Sequence, residues 1–195
     1  MTQLGDYKGN VRDALGYVNL SDPSSPDTFY VRNMPRTGLY DSASDTGQVA
    51  LATGVMTSVP IFLSAGDVIT NISCRSGATA AGTPTNYWFA LYSAASTPAL
   101  LSQSADQTST AWAANTTKTL ALASAQTITT SGVYWVGIMV TATTPPTLLG
   151  CVAAPAIVTG ERNLSQSSGS SLTATAPSTI TSVTAKQFVP YVVLT

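Results

Sequence analysis

The sequence contains no histidine. That removes the commonest general base, most zinc sites and any Ser-His-Asp triad together. Glutamate occurs once, at Glu161, and charged residues make up only 9% of the chain, against about 25% in ordinary soluble domains. The basic residues are Lys8, Arg12, Arg32, Arg36, Arg75, Lys118, Arg162 and Lys186, scattered without the clustering that a phosphate backbone requires. Nucleic acid is therefore not an expected partner. No apolar run approaches the roughly 20 residues of a spanning helix, so no membrane partner is expected. The opening Met1 to Lys8 has no apolar signal region, which points to assembly in a cytoplasm. Cysteine is scarce: Cys74 and Cys151 read as buried thiols or as one inter-sheet disulfide, and spacing does not decide between them.

The remaining carboxylates offer little for catalysis. A glycosidase needs two facing acids, and beyond residue 50 there are only Asp67, Asp106 and Glu161. Asp67 falls in the turn Ser64-Ala65-Gly66-Asp67, and Asp106 follows a strand-like run, both common structural uses of Asp. Gly77 to Gly82 is glycine-rich but lacks the lysine and following helix of a phosphate loop. Asp41 and Asp45 do not make an EF-hand pattern and read as a solvated turn. Asn71, Asn115 and Asn163 match the glycosylation sequon, as chance provides in a Ser/Thr-rich chain. No cofactor, metal or enzymatic activity is expected.

What the sequence does have is β structure. Asn86 to Tyr92 and Gly132 to Val140 are short, aromatic and β-branched runs bounded by turn residues. Alternation sets Tyr87, Phe89 and Leu91 opposite Trp88, Ala90 and Tyr92. It also sets Tyr134, Val136, Ile138 and Val140 opposite Val133, Trp135, Gly137 and Met139. Both faces of each run are apolar enough to bury, as in central strands. Further strands are predicted at Val55 to Leu63, Val68 to Cys74, Leu100 to Ala105, Thr117 to Leu122, Thr147 to Val152 and Phe188 to Leu194. Pro60 and Pro190 mark edges or bulges. About eight short strands at intervals of roughly ten residues predict an all-β, jelly-roll-like sandwich over residues 51–195. Gly77 to Thr85 and Glu161 to Pro177 read as exposed loops. Trp112 lies in a connection. It reads as a plug for the core end, and also as the aromatic most available for stacking on a sugar.

Residues 1–50 differ from the rest. Ten of the seventeen charged residues fall before residue 46. They are interspersed with Tyr7, Tyr17, Phe29, Tyr30 and Tyr40 and show no sustained period. This stretch reads as an extended arm, too aromatic for a plain linker. It either wraps its own domain or docks on neighbouring subunits, with Tyr7, Tyr17, Phe29, Tyr30, Arg32, Arg36 and Tyr40 as the candidate contacts. A formal net charge of -1 gives little self-repulsion and suits life inside an assembly.

Five blocks carry a resemblance: Leu63 to Ile72, Gly82 to Tyr92, Leu101 to Thr108, Ala111 to Asn115 and Ser131 to Val140. Together they resemble a β-sandwich module of tailed-bacteriophage virion proteins, especially those of actinobacteriophages, over roughly residues 55–150. The resemblance implies a non-enzymatic capsid-decoration or minor capsid protein, located in the virion. Its partners would be major capsid or tail proteins and further copies of itself, with a trimer expected from cyclic closure. It also leaves open a minor tail or fibre protein that binds a receptor or host surface glycan. The family supplies no catalytic residues to carry over.

Overall fold

The computed structural model describes residues 31–34 and 49–195, and the described residues contain no helix. In chain order the strands are β1 (Val31–Arg32), β2 (Val49–Ala50), β3 (Val55–Leu63), β4 (Val68–Arg75), β5 (Asn86–Tyr92), β6 (Leu100–Gln103), β7 (Thr117–Thr127) and β8 (Gly132–Thr141). These are followed by β9 (Thr147–Leu148), β10 (Gly150–Val152), β11 (Gln166–Ser168), β12 (Thr184–Ala185), β13 (Phe188–Pro190) and β14 (Val192–Leu194). Two sheets face each other. One has the order β1-β14-β4-β7, the other β12-β11-β3-β8-β5-β6, and two short ribbons, β2-β9 and β10-β13, sit beside them. The strand pairings are antiparallel.

Eight of these strands make the jelly roll. The quartets β1-β14-β4-β7 and β3-β8-β5-β6 face one another, and the chain crosses between them at β3–β4, β4–β5, β6–β7 and β7–β8. This interleaving is the double Greek-key arrangement. β8 is central because β3 pairs along its whole length on one side and β5 on the other. Its inner residues Tyr134, Val136, Ile138 and Val140 meet Tyr87, Phe89 and Leu91 of β5, Val59 and Ile61 of β3, and Ile72, Leu120 and Val192 from the facing sheet. A fully buried side chain of this kind contributes about 1.5–3 kcal/mol.

One side of the sandwich is closed. Between Ala121 and Gln126 β7 bulges away from β4 toward β6, with Leu122 bridging Ser104 and Ser124 N–H donating to Ser102 Oγ at 3.2 Å, before it rejoins β4 at Gln126 and Thr127. The other side is where the edge strand β1 lies near β3. The ends also differ. One end holds the Ser64–Asp67 turn and Thr195, whose carbonyl accepts from Thr70 N–H and Asn71 N–H at 2.7 and 2.9 Å. The opposite end holds the 77–85 loop and the β2-β9 ribbon, with Ser76 bridging Leu148.

The structure corrects four expectations. First, the division at residue 50 does not stand. Val31 is buried in the core and pairs with Leu194, and Asn33 exchanges side-chain bonds with Pro190 O and Val192 N–H. Arg32 thus belongs to a sandwich strand, because the buried Val31 seats the strand on β14 and Arg32 follows it opposite Val193. Second, the stretches expected as single strands at 147–152 and 188–194 are each broken in two. Leu149 and Tyr191 sit at the breaks, so that β13 pairs with β10 while β14 pairs with β4. Third, Pro60 is not on a full edge. It lies in β3 just beyond Ser58, the last residue that β11 pairs, so the missing N–H falls where the partner strand has ended. Fourth, residues 161–177 are not an exposed loop throughout, as described next.

Candidate functional site

Three places offered themselves as functional: the connection with Trp112, the loops 77–85 and 161–177, and the N-terminal contacts. Trp112 is fully buried. Its ring lies 5.3 Å from Tyr87 and 5.8 Å from Phe89 between centroids, the latter edge-on. Ala81 N–H donates to its carbonyl at 3.0 Å, which seats the connection under the 77–85 loop. Of its two readings, the core plug is the one observed. A ring without exposed surface has no face to offer a sugar, so the ligand-facing assignment of Trp112 is corrected. Lys118 adds to the plug, its Nζ 5.5 Å from the Tyr87 ring and bonded to Ala111 O at 3.1 Å.

The 77–85 loop is tied down at several points. Gly77 N–H donates to Thr147 O, Asn115 N–H to Gly77 O, and Gly82 N–H to Thr144 O, each at 2.8 Å. Residues 164–180 behave differently from their composition. Residues 166–168 enter the six-stranded sheet as β11, and residues 172–180 form a flap over its outer face. Trp88 Nε1 donates to Thr173 O at 2.7 Å and Tyr92 Oη to Pro177 O at 2.9 Å. Gln103 clamps the same segment through Ala174 O and Ala176 N–H, both at 2.7 Å. Ala176 and Ile180 then complete a second apolar cluster with Met56, Trp88, Ala90, Tyr92, Trp135 and Met139. This explains why both faces of β5 and β8 are apolar: the facing sheet covers one, and the flap covers the other.

The exposed turn lies earlier, at residues 153–163. Ile157 is 87% exposed and Val158 68%, on a turn held by Glu161 Oε2, which accepts from Ile157 N–H at 2.8 Å. The other carboxylates are spent in the same way. Asp67 Oδ2 accepts from Ser64 N–H at 2.8 Å, and Asp106 Oδ2 accepts from Asn86 Nδ2 and Thr108 Oγ1 at 2.7 and 2.6 Å. Among the described residues no group of three or more Cys, Asp or Glu stands together as a metal site. Both cysteines are free thiols. Burial pushes the Cys74 thiol well up, with Lys118 opposing it slightly, and burial also raises Cys151. Cys151 Sγ lies 3.5 Å from Met34 Sδ. Buried, protonated thiols are poor nucleophiles.

Of the N-terminal candidates, Arg32 sits in β1 and is partly buried, whereas Tyr7, Tyr17, Phe29, Tyr30, Arg36 and Tyr40 lie outside the described residues. What sequence reasoning missed is a groove of about 480 Å³ at the end that carries the β2-β9 ribbon. It runs between Leu51, Val55 and Thr57 on one wall and Ser167, Lys186 and Phe188 on the other. Its walls come from stretches distant in sequence, so no local pattern announces it. Across the whole chain, no family model matches the sequence and no curated protein matches it.

Proposed function

We propose that this chain is a non-enzymatic structural protein of a tailed-phage virion. It is displayed on the particle surface as a capsid-decoration or minor capsid protein and anchored through its N-terminal residues. The observation that carries the reading is how the jelly roll spends its chemistry. Its carboxylates cap turns and its tryptophans fill two apolar layers. The open face of the four-stranded sheet presents mostly small polar groups such as Thr70, Ser73 and Thr119, with Arg32 and Arg75 beside them. A fold common in capsid proteins supports the reading by analogy, as do the sequence blocks between residues 55 and 150. The aromatic-bearing stretch before Val31 is the part left over for attachment.

Deletion of residues 1–30 tests this without disturbing β1. The shortened chain is expected to fold, with the far-ultraviolet spectrum of an all-β protein, and to be lost from purified particles. Its retention in particles at the full-length level contradicts N-terminal anchoring.

A further inference from the structure

The groove of about 480 Å³ lined by Leu51, Val55 and Phe188 has no role in the strand pairing described above. Its lining is mainly apolar, and Lys186 is its one charged residue. Thirty residues precede Val31, with Asp6, Asp13, Asp22 and Asp27 against Lys8 and Arg12, a balance of -2. The described residues balance the other way. Arg32, Arg75, Lys118, Arg162 and Lys186 stand against Asp67, Asp106 and Glu161, giving +2. A segment that is acidic and carries Tyr7, Tyr17, Phe29 and Tyr30 complements an apolar groove rimmed by a lysine.

Val31 lies opposite Leu194, at the end of the sandwich where Thr195 bonds to Thr70 and Asn71. From there β1 runs toward Pro190, so Asn33 and Met34 approach the groove end while residue 30 is joined at the far end. Leu194 and Phe188 are six positions apart in sequence, a strand length of roughly 20 Å. The described sandwich thus begins roughly 20 Å from the groove, and the thirty residues before Val31 span up to roughly 100 Å when extended, a reach that takes in a neighbouring copy. Head-to-tail contacts of this kind close into rings when the rotation allows.

We propose that the groove is the seat for residues 1–30 of a second copy of this chain, joining copies head to tail. The proposal rests on the reading of this protein as an assembly component, and it names the partner of the N-terminal residues. The test uses the full-length chain with benzoylphenylalanine in place of Ser167, which is partly exposed on the groove wall. Isotopically heavy and light copies are mixed and irradiated. Cross-links from position 167 to peptides of residues 1–30 that join heavy to light chains are the expected result. K186E is expected to weaken self-association, followed by sedimentation, about tenfold. Cross-links confined to one isotopic chain, cross-links that avoid residues 1–30, or a full-length chain that stays monomeric at tens of micromolar each overturn the proposal. Heavy-to-light cross-links from a chain absent from purified particles leave the groove assignment standing and contradict only the virion reading.

Discussion

Trp112 shows how one side chain separates two readings of the same residue. It is fully buried against Tyr87 and Phe89, and its Nε1 finds no hydrogen-bond partner among the described residues. Trp112→Ala removes a large aromatic from a packed site and is expected to cost about 3–5 kcal/mol of stability. Trp112→Phe keeps most of the packing and removes an unpaired buried donor, so its cost is expected to be clearly smaller. Urea denaturation of both variants measures the difference, and similar losses contradict the plug. Burial also sets a pH dependence. The Cys74 thiol and the Tyr92 hydroxyl are both raised by desolvation. Each therefore deprotonates more easily in the unfolded chain. The stability they contribute is full below the ordinary thiol range and is lost as pH climbs above about 9. Unfolding midpoints measured from pH 7 to 10.5 are expected to fall at the alkaline end, with a shallower fall in Cys74→Ala.

At the scale of elements, the strands with strong alternation were legible and the flap was not. Val55–Leu63 and Asn86–Tyr92 match their expected bounds, and β8 runs one residue past its own, to Thr141. Alternating aromatic and β-branched side chains leave a strand little choice of face. The two clusters divide the residues of β5 and β8 as their alternation predicts. The 172–180 flap falls largely within the 161–177 stretch, which reads as a loop because Ser, Gly, Asn and Thr dominate it, yet the flap is held by backbone carbonyls that composition does not reveal. Thr173 O, Pro177 O and Leu172 O receive Trp88, Tyr92 and Thr141 side chains. Strand β1 was missed for a related reason: a two-residue strand has no period, and only its partner β14 defines it. The groove needed the assembled fold, since β3, β11 and β13 meet there from distant parts of the chain. Tyr92→Phe is expected to loosen the flap by about 0.5–1.5 kcal/mol. Hydrogen exchange should report it as faster exchange at Leu172 and Ile180, whose amides bond to Gly54 O and Pro98 O. Unchanged protection there contradicts the flap as a cooperative cover.

The whole molecule is a jelly roll with two apolar layers, few charges and an N-terminal segment of opposite charge balance to its body. Low charge density reduces the repulsion between copies. These properties suit a particle component, which is the central claim. The direct test is a cryo-electron microscopy reconstruction of purified virions from the source of this chain. The account predicts density for the β-sandwich at the particle surface, repeated by symmetry, with residues 1–30 running from Val31 onto a neighbouring subunit. Virions whose density and protein content both lack the chain would contradict it.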